Sequence, residues 1–153
     1  MTQIPHIATL IPLAIGALTS ACTILIHSIP LNGTVSAVRR ERRLGRSGVG
    51  FWSDFAIVAL SISYALLAHL IEIAVWAVVF LLCGEFHDFG IAYYHSAVNY
   101  TTLGYGDIIM SPSWELLGPL EAASGILMFG VSTAMIFAVI VRLTQERFAD
   151  LRE

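Results

Sequence analysis

The chain has 153 residues, of which 57% are hydrophobic and only 12% charged, and its mean hydropathy is +0.78. A soluble domain carries roughly 25% charged residues, so water is excluded as the solvent for most of this chain. The length leaves room for one compact unit and little else.

The net charge of −3 is ordinary, but its layout is not. All eight basic residues are Arg: Arg39, Arg40, Arg42, Arg43 and Arg46 in one stretch, then Arg142, Arg147 and Arg152. Basic segments are retained on the cytoplasmic side of a membrane, which predicts both stretches on the inner face. No aromatic or folded partner accompanies the first cluster, so nucleic acid is not an expected ligand. Cys22 and Cys83 both lie in apolar surroundings and predict no disulfide framework. Thr19-Ser20-Ala21-Cys22 has the outline of a lipoprotein cleavage site but lacks a preceding basic region, and Cys22 reads better as a small packing residue.

In chain order, the first apolar stretch runs from about Ile7 to Ile29 and is followed by Pro30-Leu31-Asn32-Gly33. It is long enough to cross a bilayer, which takes about 20 residues. It lacks Arg at every third position, which argues against a voltage sensor. An Arg-rich linker over 32–52 follows, and Ser53 or Asp54 then suits the cap of a second spanning helix over 53–83. With the linker inside, the N-terminus is outside and residues 84–115 return to the outer face.

That outer stretch is not an ordinary loop. Asp88 is placed to cap a short helix over 89–100, about half as long as the hydrocarbon core is thick. It is too short to cross and too apolar to float in water, which predicts a re-entrant helix buried in protein or lining a wet cavity. A third spanning helix is expected over 115–143, with 144–153 continuing it briefly into the cytoplasm. No internal repeat is evident.

Directly after the half-helix comes Thr101-Thr102-Leu103-Gly104-Tyr105-Gly106-Asp107. A dehydrated potassium ion needs a cage of oxygens in place of its water shell. Backbone carbonyls supply one if successive residues all point inward, which Gly104 and Gly106 permit by tolerating positive φ. Leu103 and Tyr105 then pack behind the segment, and the Thr102 hydroxyl adds an oxygen at its inner end. One chain gives one wall of the cage, so four copies around an axis are expected. The half-helix ends there, directing its negative dipole end toward a cation.

The sequence resembles the potassium-channel pore module over about Phe55 to Leu143, with Leu103 replacing Val in the Thr-Val-Gly-Tyr-Gly filter signature. The resemblance implies an all-α membrane protein: an extra N-terminal helix (1–31) and a pore module (53–143) assembled as a homotetramer. It implies potassium bound at Thr102, Leu103, Gly104, Tyr105 and Gly106, with Thr101 at the cavity edge and Asp107 at the outer mouth. No other cofactor and no enzymatic activity are expected; the expected ligands are potassium ions and the expected surroundings the lipid bilayer of the cell membrane. Gly125 and then Gly130 stand where the family's inner helix bends, although small residues also serve close helix packing. Tyr94 and His95 occupy the positions of filter-supporting aromatics. His95 is read either as a brace on Tyr105, sensitive to pH near 6.5, or as an interfacial residue facing water.

His69 and Glu72 share a face of the second helix, with Glu121 early in the third and His27 near the inner end of the first. Ionisable groups at membrane depth are functional or paired. An interhelical hydrogen bond is the favoured reading over a proton or metal sensor, because one His and one carboxylate are too few for a specific metal site. Neither a His-Glu-x-x-His motif nor a phosphate loop is present. The alternatives to a potassium-selective channel are a weakly selective cation channel and a non-conducting regulatory or assembly subunit.

Overall fold

Among the described residues, four helices follow one another in the computed structural model: α1 (Ile4–Arg43), α2 (Phe51–Leu82), α3 (Phe89–Tyr100) and α4 (Leu117–Asp150). The structure describes residues 4–44 and 50–150; Gly45, Arg46, Gly48 and Arg152 lie outside them. Three of the helices are long and apolar enough to span a membrane, over Thr9–Glu41, Phe51–Leu82 and Leu117–Phe148. The chain is an all-helical membrane protein.

The first helix does not stop where the sequence predicted. It continues through Pro30 and Gly33 to Arg43, so much of the expected 32–52 linker is helical. Proline removes one backbone donor, here the one that would serve Ile26 O, and spanning helices tolerate such a gap. Ser28 Oγ donates to Leu25 O at 2.6 Å and Asn32 Nδ2 to Ser28 O at 2.9 Å, on either side of Pro30. Arg39, Arg40, Arg42 and Arg43 then fall at the C-terminal end of α1, where the helix dipole favours positive charge.

The second helix also begins earlier than expected. Its N-cap is Gly50, and Ser53 and Asp54 lie in the first turn; Ser53 Oγ donates back to Gly50 O at 2.9 Å. Asp54 remains useful there, because Arg147 Nη2 reaches its Oδ2 at 2.7 Å and ties the end of α4 to the start of α2. The short helix α3 has the expected bounds, and Asp88 caps it by accepting from Ile91 N at 2.9 Å. The fourth helix extends past 143 without interruption.

Both α1 and α3 pack against α2 and α4, which also touch each other. Trp76 and Phe80 of α2, Tyr100 of α3, and Leu117 and Met128 of α4 form the main core, with Ile73 beside them. Ile57, Val139 and Leu143 form a second cluster toward the other end of α2 and α4. In lipid, burial of apolar surface gives little net drive, so tight packing and interhelical hydrogen bonds must hold these contacts.

Candidate functional site

α2 and α3 end in the same way with different residues. At the end of α2, Glu85 N donates to Phe80 O at 3.1 Å and Gly84 N to Leu81 O at 3.0 Å, the bond pair of a Schellman cap. Gly84 adopts φ +76° there at no steric cost. At the end of α3, Leu103 N donates to Val98 O at 2.9 Å and Thr102 N to Asn99 O at 2.8 Å. The left-handed position is Thr102, at φ +59°. A β-branched residue is an outlier in this region, and holding it there costs about 1–3 kcal/mol.

The left-handed turns then recur at every second residue, with Gly104 at φ +61° and Gly106 at φ +71°. Alternating left- and right-handed turns bring successive peptide groups into a common orientation, whereas a strand alternates them. Residues 101–107 are all exposed in the single chain, including the large side chains of Leu103 (55%) and Tyr105 (66%). Across the mouth of the segment, Tyr94 Oη donates to Asp107 Oδ2 at 2.8 Å. This bond to a carboxylate pushes the Tyr94 hydroxyl above the usual tyrosine range.

His95 lies elsewhere than expected. It is buried, so it does not face water; it sits between Phe80 and Phe86, with ring centroids at 5.4 and 5.0 Å. Its Nε2 pairs with Asn99 Nδ2 at 2.9 Å, and it bonds the Ile108 backbone rather than Tyr105. Burial pushes its pKa below the ordinary histidine value, only partly offset by the Ile108 bond and by Asp107 and Glu85. Neither sequence reading of His95 anticipated this cage.

Gly125 packs against the last residue of α3. A methyl group on it would lie 2.1 Å from Tyr100 O, far inside any tolerable contact, whereas one on Gly130 would meet nothing within 4 Å. Close helix approach therefore accounts for Gly125. Ser96 of α3 lies 2.8 Å from Ile73 O and also contacts Glu121 Oε1. One hydroxyl proton cannot serve two acceptors, so both contacts are satisfied together when Glu121 is a neutral carboxylic acid. Glu121 thereby joins α4 to α3 without a buried charge.

The remaining ionisable residues converge on one point. His27 Nδ1 lies 2.8 Å from Glu72 Oε1, His69 Nδ1 lies 3.0 Å from Tyr100 Oη, and Tyr100 Oη donates to Glu72 Oε2. Ser132 Oγ lies 2.9 Å from His27 Nε2 and 3.1 Å from His69 Nε2. All five side chains are buried, and they come from α1, α2, α3 and α4. The sequence pointed to His69 and Glu72 as a pair but not to their partners: Tyr100 looks like a core aromatic, and Ser132 like a small residue in an apolar run.

Residues 68–142, from the middle of α2 to near the end of α4, match the family model Ion_trans_2, described as an ion channel. No curated protein and no solved structure matches the chain. The matched segment contains the capped short helix, the alternating-turn segment and the helix packed behind them, and this segment belongs to that family of ion channels.

Proposed function

We propose that the chain is one subunit of a homotetrameric, potassium-selective channel that conducts passively, with Thr101–Asp107 as its filter. The observation that carries this reading is the positive φ at Thr102, Gly104 and Gly106 in succession. It gives a carbonyl ladder fitted to replace an ion's hydration shell. The exposed Leu103 and Tyr105 support assembly: large apolar side chains on such a segment need neighbours, and three further copies supply them. In this reading α3 is a re-entrant pore helix, Tyr94 and its partner Asp107 brace the outer mouth, and potassium is the ligand of Thr102, Leu103, Gly104 and Tyr105. No enzymatic step is required.

Arg147 pairs with Asp54 at the end of the bundle where α2 begins, and Arg39, Arg40, Arg42 and Arg43 end α1 shortly before it in the chain, which supports a common face for the two stretches. Both then face the cytoplasm of a cell membrane, with the N-terminus outside. Gly130 rather than Gly125 becomes the site at which α4 bends in gating, since it alone of the two has free space around it.

Reversal potentials of the purified protein in planar bilayers, with potassium on one side and sodium on the other, test the proposal. A value near the potassium equilibrium potential, lost with flux in Gly104→Ala, is expected. Equal permeation of both ions would replace it with a weakly selective channel, the reading to which the larger Leu103 lends itself. Absence of flux in the wild-type protein would overturn conduction itself.

A further inference from the structure

The node joining all four helices has the composition and spacing of a metal centre, and we propose that His27, His69, Glu72 and Tyr100 bind a divalent transition-metal ion of the zinc class. This goes beyond conduction and does not depend on which ion the pore passes.

The donor set comes first. A closed, four-coordinate zinc site takes nitrogen and oxygen ligands at about 2.0 Å, which sets its ligand atoms about 3.3 Å apart. Here His27 Nδ1 and Glu72 Oε1 are 2.8 Å apart, His69 Nδ1 and Tyr100 Oη 3.0 Å, and His69 Nδ1 and Glu72 Oε2 3.6 Å. The two imidazoles and the carboxylate offer ligand atoms all within 4.8 Å of one another. An ion at their centre widens the hydrogen-bonded contacts, most of all that between Tyr100 Oη and Glu72, and draws the more distant ligand atoms together. The two histidines and one carboxylate are a recurrent zinc-binding set, and the Tyr100 oxygen completes four once its proton is released to solvent on binding.

The second observation is independent of the ligands. A histidine that binds metal through Nδ1 must carry its proton on Nε2, and that N–H is almost always held by an acceptor. Both Nε2 atoms point to one oxygen, Ser132 Oγ, at 2.9 and 3.1 Å. A hydroxyl has two lone pairs and accepts from both, which fixes both rings with Nδ1 toward Glu72 and Tyr100. Without a metal the hydroxyl donates to one Nε2 and accepts from the other, so the same residues also stand as a hydrogen-bond network. Ser132 is thus a positioning residue for the pair.

The consequence is mechanical. His27 belongs to α1, which lies outside the matched channel segment, and Tyr100 is the last residue of α3, directly before Thr101. An ion here fastens α1 and α2 to the base of the candidate filter.

The test is direct titration of the metal-stripped, detergent-solubilised full chain with Co2+, read by the visible absorption of tetrahedral cobalt, and with Zn2+ in competition. One ion per chain with tetrahedral absorption is expected. Glu72→Gln and His69→Gln should abolish the band, and Ser132→Ala, which removes no ligand, should weaken affinity about 10- to 100-fold. The thermal midpoint of the wild-type chain should rise with added Zn2+ and that of Glu72→Gln should not. Should the folded wild-type chain show no tetrahedral band, or one that both ligand variants retain, the proposal is overturned and the node is a proton-sharing hydrogen-bond network only. Potassium flux plays no part in these readings, so they stand apart from the test of conduction.

Discussion

Two regions meet at Tyr100 and obey opposite rules. On its side-chain end, the His27–Glu72–His69–Tyr100–Ser132 node is complete within one chain, with every ring nitrogen and both carboxylate oxygens in hydrogen-bond contact. On its backbone end, residues 101–107 lie exposed, with Leu103 and Tyr105 uncovered. The first region is finished by folding; the second, in the proposed assembly, only by neighbours. The difference follows from solvent. A polar group in hydrocarbon costs several kcal/mol if left unpaired, so each subunit must satisfy its own before it meets another. A carbonyl ladder, in contrast, has to remain open toward an ion.

Mutations can break this comparison. The largest effect should come from Glu72→Ala, which leaves two buried donors without an acceptor. A loss of about 3–5 kcal/mol of chain stability is expected, measured by denaturant titration in micelles, and Glu72→Gln should lose less. A loss as large in subunit association but none in the isolated chain would contradict the division drawn here.

Gly125→Ala comes next. With a methyl directed at Tyr100 O from 2.1 Å, an overpacking cost of about 1–3 kcal/mol or more is expected. Gly130→Ala, where space is open, should instead stabilise α4 by about 1 kcal/mol while lowering channel opening, as single-channel recording would show.

Gly104→Ala sharpens the contrast further. A Cβ there meets only Thr102 O at 3.9 Å, so no clash arises, but φ +61° costs an L-residue about 1–2 kcal/mol. The helical content of the variant should match wild type while potassium flux is lost. Tyr94→Phe removes the exposed bond to Asp107, which water screens, so the fold should barely feel its loss. Faster decay of current at unchanged thermal stability is the expected signature.

The smallest effect concerns acid. Because burial lowers the His95 pKa, the folded chain takes up that proton less readily than the unfolded chain. Stability should be flat above about pH 6.5 and fall as pH drops below it toward the lowered value. In His95→Phe this part of the pH dependence should vanish from thermal melts between pH 7.5 and 5; an identical slope would show that another group is responsible.

The sequence by itself determined the membrane class, the three spans and the bounds and cap of α3, because these depend on local quantities: apolar length, an Asp at the N-cap, turn-permitting residues in order. The ion-channel family was legible for the same reason, in a contiguous run from Thr101 to Asp107. What failed was non-local. The reach of α1 past Pro30 overrode a local Pro-Leu-Asn-Gly stop signal, and the cage around His95 depended on Phe80 and Phe86 arriving from α2 and the loop after it. Only the tertiary structure decided that His27 and Ser132, separated by 105 positions, close on Glu72, His69 and Tyr100. Periodicity places a side chain on a helix face, but which faces meet is set by packing among four helices in a medium where each buried polar atom must find its partner.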